Sequence, residues 1–163
     1  DRLIKAWKTV NQVCPEWTLD IIGEGEDKAR LQSLINYEKL NRSVRLMPAI
    51  SDIENVYLGA SVVAMSSHYE GLPMVLLEAQ SFGLPIVAFA CQCGPKDVIT
   101  DGETGFLVPE GEVEGLADRL ITVMEDDNLR LSMGKKAKEA SHRYEERGVM
   151  QLWMETFQTV MEQ

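Results

Sequence analysis

Positive charge is scarce in this chain: sixteen Lys and Arg stand against twenty-six Asp and Glu, a formal net charge of −10. Nucleic-acid phosphates demand clustered Lys and Arg, and an anionic lipid surface demands a basic helix face. Neither pattern occurs, so nucleic acid is not an expected partner. Long apolar runs are also missing, and no segment reads as an integral membrane span. The first residues, Asp1-Arg2-Leu3-Ile4-Lys5, lack the layout of a signal peptide. Cysteine is sparse and odd in number. Cys14, Cys91 and Cys93 cannot close a metal site that wants four Cys or His ligands at set spacing, and Cys91 and Cys93 are too close in sequence to pair readily. Reduced thiols, no metal site closed by cysteines and a cytoplasmic setting are therefore expected. Repeats, low-complexity tracts and Pro/Ser-rich linkers are absent, so 163 residues with 45% apolar content read as one domain with a sizeable core.

What is present is an alternation of helix and strand. Leu3, Trp7, Val10 and Cys14 fall on one helical stripe that Pro15 ends, and Trp17 to Ile22 reads as a strand stopping at Gly23. A helical pattern follows from about Glu26 to Leu40, then a strand Val44 to Met47 broken by Pro48, then a short helix opened by the capping box Ser51-Asp52-Ile53-Glu54. Val62 to Met65 and Pro85 to Ala90 are continuous apolar strands, and Thr104 to Val108 is a last short one. From Glu112 onward the pattern is helical, with breaks near Asp126-Asp127-Asn128 and His142-Arg143-Tyr144. Strands separated by helices predict a parallel sheet covered on both faces, an α/β, Rossmann-like doubly wound fold. Ligands bind such sheets beyond the carboxyl ends of the strands. A domain of this kind usually opens with a strand, whereas here a helix comes first.

The most informative stretch is Glu70-Gly71-Leu72-Pro73-Met74-Val75-Leu76-Leu77-Glu78, which places one carboxylate in a loop and another inside the helix that the loop feeds. Proline suits a first helical position, so Pro73 is expected to begin the helix and to leave the amides of Met74, Val75 and Leu76 without intrahelical partners. Those amides and the positive helix end favour an anion such as a phosphate, while flanking carboxylates suit sugar hydroxyls. Together they point to a phosphorylated sugar. The plain reading of Glu78 is a solvated helix face, but its neighbours Val75, Leu76, Leu77 and Phe82 predict a mostly buried helix, where a carboxylate needs a partner. Glu70 has a flexible surface loop as its plain reading. Gly23-Glu24-Gly25 is an incomplete dinucleotide fingerprint, since position 28 is Lys and Glu24, Glu26 and Asp27 repel a pyrophosphate. A tight turn that brings backbone close to an uncharged base or ribose survives that objection. His68 lacks an accompanying nucleophile signature and is left out of catalysis, and Lys96 reads as a solvated lysine. The stripe of Trp153, Met154, Phe157, Val160 and Met161 is expected to be core, with some of it uncovered.

From Asp20 to Glu110 the chain resembles the carboxy-terminal half of a retaining glycosyltransferase of the two-domain GT-B type, in family four. The resemblance is carried by five motifs in order: Ile22 to Gly25, Ser66 to Ala79, Gly83 to Ala88, Gly94 to Ile99 and Asp101 to Pro109. It implies a nucleoside-diphosphate sugar, with UDP preferred, as donor. The acceptor implied is a saccharide or lipid-linked saccharide held by an amino-terminal domain. Glu70 would contact hydroxyls of the donor hexose as the catalytic residue, within a loop that includes Gly71 and Leu72. The amides of Val75 and Leu76, after Met74, would hold the diphosphate, and Glu78 would accept hydrogen bonds from the ribose. Backbone around Gly23 and Gly25 and from Met47 through Pro48 and Ala49 to Ile50 would wall the base. The resemblance also implies polysaccharide synthesis without a metal cofactor, with the intact enzyme cytoplasmic or peripheral at the inner membrane face.

The family's cationic diphosphate clamp lies in the loop after the domain's first strand, ahead of a helix like that of Leu3 to Cys14. Residues 1–163 are accordingly expected to be a donor-binding fragment that lacks the acceptor domain and its own first strand, and that does not transfer sugar alone. Asp97 stands where many relatives carry Glu, which leaves the role of that side chain open. Two other readings use the same fold: a non-catalytic nucleotide-sugar binding module, and a sugar-nucleotide epimerase, whose extra acid–base residues are not evident.

Overall fold

The computed structural model describes residues 1–162. Helix α1 (Arg2–Val13) turns Ile4, Ala6, Trp7 and Val10 inward and ends as expected before Pro15, where the Cys14 amide donates to the Val10 carbonyl at 2.8 Å. Strand β1 (Leu19–Ile22), helix α2 (Lys28–Tyr37), strand β2 (Val44–Met47) and helix α3 (Ile53–Gly59) follow. The capping box before α3 does not form: Asp52 is the N-cap residue but its side chain makes no cap bond, and it accepts instead from Asn55 Nδ2 at 2.6 Å. Next come β3 (Val63–Met65), α4 (Met74–Ser81), β4 (Ile86–Phe89), the one-turn α5 (Pro95–Val98) and β5 (Gly105–Val108).

The helical end is divided where its polar breaks predict. Helix α6 (Val113–Glu125) stops at Asp126, whose carboxylate accepts from the Leu129 amide and starts α7 (Asp127–Ser141). A 3-10 turn at His142–Tyr144 then leads into α8 (Glu146–Met161). In α8 no residue is buried, and Trp153 and Phe157 are more than half exposed, so the expected core stripe is an open apolar face.

Every strand pair is parallel, with α-helices between successive strands, as the alternation requires. Strand β4 is buried at all four positions and divides the core. Val87 and Phe89 join a cluster with Trp7, Val10, Leu116 and Leu120, whereas Ile86 and Ala88 join a second with Tyr57, Leu76 and Ala79. That two-sided burial explains why its sequence is an unbroken apolar run rather than an alternating one.

Continuity of the sheet is where the fold departs from expectation. The strands form two sheets, β1-β2 and β3-β4-β5, and no ladder joins β1 to β3 among the described residues. Between them runs an apolar cleft of about 820 Å³ lined by Leu19 to Ile22 of β1 and Val62 to Ala64 beside and within β3. Trp7 and Leu120 reach the cleft from the first core cluster, and Tyr57 of the second also lines it. The cleft therefore passes through the layer that a continuous sheet would occupy.

Candidate functional site

The carboxyl ends of the strands carry the candidate residues in two groups. The first lies after β3. Arg2 fixes the start of the loop: its guanidinium donates to the Ser66 carbonyl at 2.6 Å, lies 4.7 Å from the centre of the Phe89 ring, and pairs with Glu110 at 3.5 Å. Glu110 also meets His68 Nδ1 at 3.2 Å, so His68 is an exposed member of this tether. Further along, Tyr69 pairs with Gln92 in an isolated parallel bridge that ties the loop after β3 to the loop after β4. Gly94, at φ +74°, makes that contact close. A Cβ built there would stand 2.7 Å from the Gly71 carbonyl oxygen, 2.8 Å from Pro73 Cδ and 3.0 Å from Glu70 Cβ. The backbone on which Glu70 sits is thus pressed against a neighbouring loop.

Two details of the helix entrance differ from the sequence expectation. Pro73 is the N-cap of α4 with extended backbone (ψ 95°), and the helix begins at Met74. Its carbonyl accepts from the Leu76 amide at 2.9 Å and, more distantly, from Leu77 at 3.4 Å. The tightened first turn therefore uses the Leu76 amide, which is not available to an anion. Met74 and Val75 keep amides without a hydrogen-bond acceptor among the described residues. Leu72, Met74 and Val75 are about half exposed, while Leu76 is fully buried and anchors the helix. The entrance to α4 is open, with two free donors and the positive helix end.

Glu78 lies one turn further on and is exposed. Burial of α4 does not oblige it to find a partner, contrary to the sequence argument, because the helix is packed on one side only. It has a partner nonetheless: the Tyr57 hydroxyl donates to Glu78 Oε2 at 2.8 Å. Burial, and then this bond, push the Tyr57 phenol well above its ordinary value. Glu70 is half-buried, and its carboxylate accepts no hydrogen bond among the described residues.

The second group lies at the ends of β1 and β2, which pair Ile22 with Met47. The Gly23 amide donates to the Met47 carbonyl at 3.1 Å, which sets the Gly23 turn beside Pro48 and Ala49. Gly23 needs its freedom at φ +148°. A Cβ at Gly23 or Gly25 would meet nothing within 4 Å, so the turn is open to solvent. Pro48 and Ala49 are likewise exposed.

Residues 70–78 form one contiguous patch, and Gly23, Gly25, Pro48 and Ala49 form another at the ends of β1 and β2. Of all these, Val75 alone lines the cleft, together with Ile22 and Met47 at the ends of β1 and β2. Sequence reasoning missed Arg2 and Tyr57, whose partners are 64 and 21 residues distant and leave no local pattern. Gly94 stands in the Gly94 to Ile99 motif, and its place directly before a proline is the further sequence signal for a special backbone position.

The α/β fold with parallel sheets matches the carboxy-terminal domains of GT-B glycosyltransferases. The chain belongs to the family described as glycosyl transferases group 1, which it matches over residues 1–140. An uncharacterized glycosyltransferase of Haemophilus influenzae is 33% identical over 153 residues, covering 94% of this chain and 43% of that protein. The amylovoran biosynthesis glycosyltransferase AmsD of Erwinia amylovora is 34% identical over 152 residues, covering 93% and 42%. The chain thus spans less than half the length of these relatives. Among solved structures, a point mutant of Staphylococcus aureus TarM in complex with fondaparinux, alpha-GlcNAc-glycerol and UDP superposes with a TM-score of 0.90 at 27% identity, covering 96% of this chain and 32% of TarM. HepE of Anabaena, in complex with UDP and glucose, gives 0.84 at 26% identity, covering 97% and 44%.

Proposed function

We propose that this chain is the donor-binding domain of a retaining, family-four glycosyltransferase that moves a hexosyl group from a UDP-sugar to a saccharide or lipid-linked saccharide. The observation that carries the reading is the α4 entrance: two unpaired amides at Met74 and Val75, with Glu70 before them and Glu78 behind. A diphosphate accepts hydrogen bonds from both amides and gains from the helix dipole, and the hydroxyls of a hexose and a ribose donate to the two carboxylates. The UDP held by TarM and HepE supports the same choice of nucleotide.

In this reading the bond from the anomeric carbon to the diphosphate oxygen breaks as the acceptor oxygen bonds to that carbon on the same face, the acceptor's proton passes to the departing diphosphate, and the α4 amides offset the charge that develops on it. Glu70 binds the hexose and fixes its angle to the acceptor. Gly23, Gly25, Pro48 and Ala49 bound the base. Leu76 contributes packing and no amide. The transfer needs no metal in this proposal. A second domain of the same polypeptide supplies the acceptor face, and a strand ahead of α1 with its cationic loop completes the diphosphate clamp, so residues 1–163 alone do not turn over. The intact enzyme works in polysaccharide synthesis, in the cytoplasm or at the inner face of the membrane.

Kinetics of the intact protein test the assignment. Glu70→Ala is expected to lower kcat by roughly a hundredfold with little change in donor KM, the signature of an interaction that strengthens toward the transition state. Glu78→Ala is expected to raise donor KM about tenfold with a smaller effect on kcat, as loss of a charge-assisted hydrogen bond requires. Wild-type kinetics in both variants would refute the site. Product analysis separates transfer from epimerisation and from binding without chemistry.

A further inference from the structure

We infer that Tyr57 is a positioning residue for nucleoside recognition: from α3 it aims the Glu78 carboxylate so that the remaining acceptor sites face a ribose cis-diol. The inference rests on the reading of Glu78 given above and adds what sets its selectivity.

Geometry supports it from three directions. Tyr57 is only 5% exposed, so its ring is fixed by packing. The ring stacks on Phe82 at a centroid distance of 5.2 Å and an interplanar angle of 21°, which closes one face against rotation. At the tip, the hydroxyl lies 2.8 Å from Glu78 Oε2 and 3.5 Å from the Val75 carbonyl. A phenol carries one proton, and the shorter contact receives it.

An exposed helical glutamate without such a contact samples several rotamers and must surrender them when a ligand arrives. With one lone pair of Oε2 occupied by a rigid donor, Glu78 is ordered beforehand, and Oε1 together with the rest of Oε2 is left for two further donors. Adjacent 2′ and 3′ hydroxyls present two donors side by side. The raised phenol value means that the donor proton stays in place through neutral and mildly alkaline conditions.

Structural bracing of α3 against α4 is the competing account, and ligand choice separates the two. Calorimetric titration of the intact protein with UDP and with 2′,3′-dideoxy-UDP is made for wild type, Tyr57→Phe, Glu78→Gln and the double variant, with thermal midpoints recorded alongside. Glu78→Gln is expected to weaken UDP about tenfold and Tyr57→Phe about threefold to tenfold, as removal of hydrogen bonds to a carboxylate predicts. Neither should alter binding of the dideoxy analogue, and the double variant should be no weaker than Glu78→Gln, since Tyr57 acts only through that carboxylate. If Glu78→Gln weakens UDP while Tyr57→Phe leaves it unchanged, or weakens both nucleotides equally, Tyr57 is a brace and the inference is overturned with the donor site intact. If Glu78→Gln has no effect on UDP, the donor-site reading of Glu78 fails, and the role of Tyr57 with it.

Discussion

A tyrosine hydroxyl held between a carboxylate and a packed helix has a consequence for stability as well as for binding. The fold favours the protonated phenol, because burial penalises the phenolate and Glu78 would repel it. Its folded value is therefore raised above the ordinary value of 10.0. A raised folded value contributes stability that is fully present below the unfolded value and is lost as pH rises through the folded one. Urea unfolding followed from pH 7 to 11 should show wild type losing stability above about pH 10, and Tyr57→Phe should lose less over the same interval. At pH 7 the phenylalanine variant should be less stable by on the order of 1 kcal/mol, the net worth of one hydrogen bond. Parallel pH profiles for the two proteins would show that the phenol does not ionise differently on unfolding. Other residues at this scale show why contacts resist sequence reading: Arg2 holds the Ser66 carbonyl, and neither belongs to a local motif with the other.

Between elements, the governing contact is the meeting of the loop after β3 with the loop after β4. Gly94 permits it, through both its positive φ and the missing Cβ. In Gly94→Ala the new methyl group would overlap the Gly71 carbonyl and Pro73, and one of the two loops would have to move. Overpacking of this kind costs about 1–3 kcal/mol, with an added penalty for the backbone angle. Because Glu70 rides on the displaced segment, activity in the intact protein should fall more than the loss of stability alone accounts for. A variant with a lowered thermal midpoint but full activity per folded molecule would mean that the loops pack without positioning Glu70. Much at this scale was legible in the sequence. The order and type of the long helices and the five strands follow from periodicity, Pro15, Gly83 and Asp126. The tightened first turn of α4 was not legible: Pro73 fits either an N-cap or a first helical position, and only the Leu76-to-Pro73 bond decides between them. Nor was the exposure of Glu78, because the apolar neighbours that suggested burial include Val75, which faces solvent at 48%.

For the whole molecule, the divided sheet is the feature that composition and periodicity could not reveal, since each strand carries a normal apolar pattern whether or not both edges are paired. Strands β1 and β3 each have a partner on one side only among the described residues, and the cleft between them has the residues of a sheet interior on its walls. The strand that the proposed function sets ahead of α1 fits this space. A strand joined through α1 to β1 in the same sheet would make a right-handed crossover, and the unpaired edges of β1 and β3 bound the gap it would fill. Backbone amides and carbonyls on the inner edges of β1 and β3 would then find partners, and the apolar walls would be covered. Hydrogen exchange tests the idea by comparing residues 1–163 with a polypeptide extended upstream by about twenty residues, enough for one strand and its loop. Leu19 and Val63 already donate to the Ser43 and Pro85 carbonyls, so it is the alternate amides of Asp20, Ile22 and Ala64 that should exchange at least about tenfold more slowly in the longer chain, as new ladder bonds demand. The exposed face of α8, remote in sequence from both strands, serves as the internal control and should not change. Equal exchange at β1 and β3 in the two polypeptides would show that the cleft is not a strand slot. Slower exchange everywhere, α8 included, would point to general stabilisation rather than to insertion between those two strands.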